Sequence, residues 1–304
     1  MGGTNWNAAT YASYSASVAS TPRSTLFSSS SVAHTVTAGV AASNIKIRES
    51  RDSAANPNST PLIIASDITG SMGILAEKLV KEYLGIIMGE VLKRKPITDP
   101  HVMGIAIGDG TCDQAPIQAT QFEADTIIVD QLTKFWIEGG GGGNGGESYA
   151  YAWLFAHLKC VCDSQIKRGK KGYLFTIGDE SPLTSISSAE IKKFFGESDY
   201  PAINDVATLL KQVEQNWHVF HLIIKPHPGQ DVVNDWRKLL GERAIQVQDA
   251  SVLAEIIVSL IQVNEGHDKS TVINSWDGDK SLAVATAVSN LQVKDSGTDA
   301  VATL

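Results

Sequence analysis

The chain has 304 residues, 43% of them hydrophobic and 19% charged, with 33 acidic against 25 basic residues and a net charge of −8. There is apolar material for one large core or two smaller ones. The acidic balance and the lack of a basic block leave no electrostatic footprint for a phosphate backbone, so nucleic acid is excluded as the expected partner. No stretch reaches the roughly 20 apolar residues of a membrane span and no signal peptide opens the chain, so a cytoplasmic protein, or one carried in an assembled particle, is expected and no membrane partner.

Residues 1 to 44 are rich in Ser, Ala and Thr, and Arg23 is the only Lys, Arg, Asp or Glu among them. They are expected to form a low-complexity N-terminal arm, either passive or docked on something, since free tails usually stay soluble through charge. A folded domain is expected over residues 45–265. Ile45 to Ser53 suits an edge strand, and the apolar run from Leu62 to Ala65 a buried one. Leu75, Leu79, Tyr83, Ile86 and Ile87 then recur at helical spacing up to Lys93, where Lys95-Pro96 stops the helix.

Val102 to Ile107 reads as the next strand, Pro116 to Phe122 as a short edge strand and Ile127 to Trp136 as a helix. The glycine run from Gly139 to Gly146 opens a helix over Glu147 to Lys159. Strands at Tyr173 to Ile177, Trp217 to Ile224 and Ala244 to Val247 alternate with helices at Val206 to Gln215, Val232 to Leu240 and Val252 to Val263. Such alternation predicts βαβ units: an α/β fold, a mostly parallel open sheet with helices on both faces. Residues 266–304 are expected to be a polar tail with one weak helix near Ser281 to Leu291. Cys112, Cys160 and Cys162 are an odd number, the last two expected on a helix, and are read as reduced thiols.

In βαβ units the strand C-termini and the helix N-termini share one sheet edge, where ligands of open α/β sheets bind. Four polar clusters fall there: Asp67 to Ser71, Asp109 to Asp113, Asn144 to Glu147, and Asp179 with Glu180. Asp67, Thr69 and Ser71 sit two apart, so an extended loop can turn all three oxygens to one point, and oxygen ligands suit a hard cation. A simpler reading of these three is a helix cap, and of the glycine run a flexible linker; neither accounts for Asp179. His218, His221 and His227 are read as structural.

The Asp67-Ile68-Thr69-Gly70-Ser71 loop after the first core strand resembles the metal-ion-dependent adhesion site of von Willebrand factor A (VWA) domains. The resemblance extends over roughly residues 45 to 264 in the order of the loops, and within the family it is most similar to an intracellular branch of bacteria and phages. It implies a VWA-like (Rossmann-like) fold and a metal site of Asp67, Thr69, Ser71, Asn144 and Asp179. Asn144 stands where the family has a Thr, with Glu147 as the neighbouring alternative. The implied ion is Mg2+, with Mn2+ or Ca2+ possible, and the implied function is protein binding through a metal-bridged Asp or Glu of a partner, with no catalytic residues.

Two rival readings remain. The chain is a structural subunit of a larger assembly that uses the domain for contacts. Alternatively, since Asp67-Ile68-Thr69-Gly70-Ser71 also resembles the start of haloacid dehalogenase-type phosphotransferases, Asp67 is a phosphorylated nucleophile. That chemistry needs a lysine beside the phosphate, and Lys170 and Lys171 are predicted to lie at the opposite sheet edge.

Overall fold

The computed structural model describes residues 5–27, 36–70, 72–140 and 146–292. The chain opens with helix α1 (Ala8–Val18) and a short strand β1 (Arg48–Ser50), then enters the core through β2 (Thr60–Asp67). Every residue of β2 is buried, because its apolar run has helices on both sides: Leu62 and Ile64 face one core cluster, Ile63 and Ala65 the other. That is why the strand reads as a continuous apolar run rather than an alternation.

Helix α2 (Gly73–Lys78) continues through a π turn (Leu79–Tyr83) into α3 (Leu84–Arg94), the helix expected from the periodicity. Strand β3 (Pro100–Ile107), the edge strand β4 (Ile117–Ala119) and helix α4 (Ile127–Leu132) follow. Next come α5 (Ala150–Lys159), β5 (Cys160–Cys162), α6 (Asp163–Arg168) and β6 (Gly172–Gly178). The main elements after β6 are α7 (Val206–Val213), β7 (Trp217–Ile224), α8 (Val232–Leu240), β8 (Ala244–Val247) and α9 (Leu253–Asn264), followed by α10 (Lys269–Asn274) and α11 (Gly278–Val288).

The main sheet has six strands in the order β4-β3-β2-β6-β7-β8, all pairs parallel except β3 with β4. Helices α2, α3 and α9 cover one face with α1 and α11, while α5, α7 and α8 cover the other. The α/β fold expected from the alternation of elements is the fold observed.

Two expectations differ from the structure, and of the two readings left open for the N-terminal arm α1 follows the docked one. Within the segment read as a low-complexity arm, α1 packs on the domain: Tyr11 is buried, its hydroxyl donates to the Val80 carbonyl at 2.9 Å, and a Cβ on Gly85 would overlap its ring. Freedom from charge suits a helix whose Tyr11, Tyr14 and Val18 lie against a core. Within the segment read as a polar tail, α10 and α11 close over α9. Val284, Ala287, Val288 and Leu291 form the buried stripe, and the Trp276 indole donates to Ser259 Oγ at 2.8 Å. The stripe is thin, which is why polar neighbours hid it. Cys160 and Cys162 are on strand β5, parallel to β1, and not on a helix: α5 ends at Lys159, and Val161 suits the free edge that β1 offers. None of the three cysteines is in a disulfide among the described residues.

Candidate metal centre

The chain runs from β2 outward to β3 and β4 and returns on the other side of β2 as β6, so the strand order reverses between β2 and β6. In open α/β sheets that switch point opens a crevice at the strand C-termini. Asp67 is the last residue of β2 and Asp179 the first after β6, so they flank it from its two sides.

Asp67 is fully buried. Its Oδ1 accepts the Thr69 amide at 2.7 Å and the Thr69 hydroxyl at 2.6 Å, and its Oδ2 accepts the Tyr149 hydroxyl at 2.9 Å. Burial pushes the carboxyl up to about 7; the Thr69 and Tyr149 hydrogen bonds pull it back and the charge of Asp179 adds to the rise. Thr69 and Asp179 are buried nearby, whereas Ser71 and Asn144, the other two expected ligands, lie outside the described residues.

The loop after β3 repeats the pattern. Asp109 Oδ1 accepts both the amide and the hydroxyl of Thr111 at 2.7 Å, and Asp113 Oδ2 accepts the Asp109 amide at 2.8 Å. The first glycines of the glycine-rich segment pack directly on these loops. Gly70 donates to the Gly140 carbonyl at 3.2 Å, and a Cβ on Gly140 would stand 2.1 Å from Asp113 Oδ1. Only a residue without a side chain allows that approach, so at this end the run is a packing element, not a linker.

Its far end is pinned on the loop after β6. Glu147 donates to the Ser181 carbonyl at 2.9 Å and accepts from the Leu183 amide at 3.1 Å, while a Cβ on Gly146 would lie 2.6 Å from the Ser181 carbonyl oxygen. These bonds hold Glu147 inside the cluster, 1% exposed, with Oε2 buried and lacking a hydrogen-bond partner among the described residues. Burial, then the charges of Asp67, Asp109, Glu180 and Asp113, push its carboxyl up to about 9.

Among the described residues no three His, Cys, Asp or Glu side chains are placed to hold a metal ion. The expected centre needs only two carboxylates, its other donors being hydroxyls and an amide, so it does not depend on such a trio. The donor set is all oxygen, which suits a hard cation, and the carboxyls around Glu147 present negative charge to one another. On those grounds the residues present fit a divalent cation.

Sequence reasoning did not single out Tyr149 or Thr111. Nothing in the helical spacing of Tyr151, Leu154, Phe155 and Leu158 marks Tyr149, but the second Asp-x-Thr, Asp109-Gly110-Thr111, was legible as a copy of the first. His221 is buried, stacked on Trp236 with ring centroids 3.5 Å apart, and its Nδ1 is 2.8 Å from Thr176 Oγ1, a core position. Lys170 pairs with Glu265 and Lys171 donates to the Glu214 carbonyl, both before β6 and so at the edge away from Asp67. No helix among the described residues is long and apolar enough to cross a membrane.

No protein-family model matches the chain, and no curated protein does. Among solved structures it is similar to the pilus adhesin SpaC of Lactobacillus rhamnosus GG in its open conformation, at 11% identity and a TM-score of 0.44, over 75% of this chain and 31% of that one. It is similar to a von Willebrand factor type A protein of Catenulispora acidiphila at 12% identity and a TM-score of 0.38, over 69% and 43% of the two chains. It is also similar to the conserved hypothetical protein BatB of Bacteroides thetaiotaomicron at 15% identity and a TM-score of 0.37, over 66% and 97%. The chain thus spans less than half the length of the first two. Its six-stranded, mostly parallel sheet with an antiparallel edge strand and helices on both faces is an open α/β architecture.

Proposed function

We propose that this chain is a divalent-cation-dependent protein-binding module whose centre is the acid cluster at the switch point. The observation that carries the reading is Glu147, a buried carboxyl with one oxygen lacking a hydrogen-bond partner among the described residues and with the charges of Asp67, Asp109, Glu180 and Asp113 acting on it. Burying a charge costs several kcal/mol unless something compensates it. A cation among these loops is the compensation that fits an all-oxygen donor set. Asp67, Thr69 and Asp179 would hold it together with Ser71 and Asn144, with Mg2+ as the first choice and Mn2+ or Ca2+ as alternatives.

Bound there, the ion supplies positive charge and exchangeable coordination positions that an Asp or Glu of a partner protein can take. The chain's own residues orient the donors: Thr69 grips one oxygen of Asp67 and Tyr149 the other. Gly140 brings backbone rather than a side chain up to these loops, and Gly70 and Gly139 are exposed at the rim.

Calorimetry with Mg2+ tests the cation and chelator-dependent capture tests the partner. The expected result is Mg2+ binding by the wild type, its loss in Asp67→Asn, and a captured protein released both by chelation and by that variant. A metal-bound crystal structure in which Glu147 closes the shell would make the ion a purely structural link and overturn recognition through it.

A further inference from the structure

Tyr149 sits at the centre of the acid cluster, and the expected ligand set makes no use of it. It is the N-cap residue of α5 and fully buried. Its hydroxyl donates to Asp67 Oδ2 at 2.9 Å and accepts the Glu180 amide at 3.3 Å. One oxygen atom therefore ties the end of β2 to the loop after β6, across the crevice between them.

The fold makes room for this bridge. A Cβ on Gly178 would lie 1.9 Å from the Tyr149 hydroxyl oxygen, so any side chain there would displace the phenol. The ring is held edge-on by His221 and Trp236, with centroids 5.0 and 5.4 Å away. Trp236 Nε1 also donates to the Glu180 carbonyl at 3.0 Å. Both backbone groups of Glu180 are thus held by one aromatic block, the amide by Tyr149 and the carbonyl by Trp236. Asp179 precedes Glu180 in that loop and Asp67 is the other group Tyr149 grips, so a single side chain holds the Asp67 carboxylate and the backbone next to Asp179.

Resting on the cation reading above, we infer that Tyr149 is the positioning residue of the centre: its hydroxyl sets the orientation of the Asp67 carboxylate and the placement of the Asp179–Glu180 loop together. A phenol has one proton to donate, and here it goes to the carboxylate rather than to a backbone carbonyl. Groups that orient metal ligands in this way typically contribute about 10- to 100-fold to metal affinity.

The test is Tyr149→Phe, which keeps the ring and removes only the bridging oxygen. Calorimetry with Mg2+ and with Mn2+ is expected to show a loss of about 10-fold or more relative to the wild type. A second readout separates positioning from a plain structural role: with the tyrosine ring carbons next to the hydroxyl labelled with carbon-13, one of the seven tyrosine signals should shift on adding Mg2+ to the wild type and be missing from Tyr149→Phe. Wild-type binding with affinity unchanged in Tyr149→Phe overturns this inference and leaves the cation reading standing. A wild-type chain that binds neither ion overturns both. Should Tyr149→Phe fail to fold, the wild-type measurement decides alone, since Mg2+ binding without any shift of a tyrosine signal overturns the inference.

Discussion

The two ends of the same sheet treat their acids in opposite ways. At the N-terminal edge of the strands, Asp52 accepts a two-pronged hydrogen bond from Arg168 at 2.7 and 3.1 Å, and Lys167 is 3.3 Å away. Asp163 is paired with Lys167 at 2.7 Å and Arg51 at 2.9 Å. The Arg168 guanidinium holds Asp52 well below the usual carboxylate range, and Asp163 is lowered as well, its basic partners and the Asp52 amide outweighing burial. At the C-terminal edge, burial drives Asp67 up to about 7 and Glu147 up to about 9, and neither forms an ion pair among the described residues. One edge carries its own counter-charges. The other is arranged as though the counter-charge arrives from outside, which is the contrast on which the cation reading turns.

The largest expected effect breaks that contrast at Asp67. Asp67→Asn should lower Mg2+ affinity about 100-fold or more, at or beyond the upper range for losing an orienting partner. Asn is the better choice than Ala. Asp67 is fully buried, and Ala would leave the Thr69 and Tyr149 donors without an acceptor, at about 1–3 kcal/mol each. Calorimetry decides it, and an unchanged affinity removes Asp67 from the centre.

The next effect is in pH, and the two edges act with opposite sign. Asp52 has a folded-state pKa below its ordinary value of 3.8, so its stabilisation is present above that value and lost as the pH falls. Glu147 and Asp67 have folded-state pKa values raised from 4.5 and 3.8, so their contribution is complete below about 4 and is lost as the pH rises toward about 7 and about 9. The cation-free chain should therefore lose melting temperature between about pH 5 and about pH 8, and Mg2+ should restore more of it at pH 8 than at pH 5.5. A flat profile without metal would mean that the upper edge is already compensated, and the contrast between the edges would disappear.

How much of this was legible in the sequence follows from what each feature depends on. Apolar runs and glycine or proline punctuation placed the sheet: β7, α8 and β8 have the bounds their residues predict, because burial on both faces imposes a local pattern. The convergence of Asp67, Asp109, Glu147 and Asp179 on one edge followed from βαβ geometry alone. Tyr149 did not, because its role depends on a contact between residues 82 positions apart. The packing of α1 was hidden for a similar reason: Tyr11 is an ordinary aromatic in a Ser- and Ala-rich stretch until the space left by Gly85 receives it. The strand at Cys160–Cys162 exists only because β1 lies beside it.

A smaller effect belongs to the compensated edge. Arg168→Ala removes the two-pronged partner of Asp52 and its bond to the Ser59 carbonyl at 2.8 Å. Both side chains are partly exposed, so the cost should be about 1 kcal/mol in urea denaturation, with no change in Mg2+ affinity. A change in that affinity would show that the two edges are coupled through the sheet.

The smallest effect is expected at Lys170 and Lys171, and it separates the cation module from the phosphotransferase reading. Both lysines come before β6, whose seven residues at about 3.3 Å each span roughly 20 Å. The Debye length at physiological salt is about 8 Å, so their charges are largely screened at the distance of Asp67. Lys170 is also paired with Glu265 and Lys171 with the Glu214 carbonyl, which keeps both side chains at their own edge. Substituting both by Ala should leave Mg2+ affinity within about two-fold, since that screened field is all they contribute at the centre. If Asp67 were instead a phosphoryl acceptor served by one of them, the double substitution would abolish acid-labile phosphorylation of Asp67 by a small phosphodonor such as acetyl phosphate. Phosphorylation present in the wild type and absent from the double variant would therefore place a lysine at the C-terminal edge and require the two ends of the sheet to be reassigned.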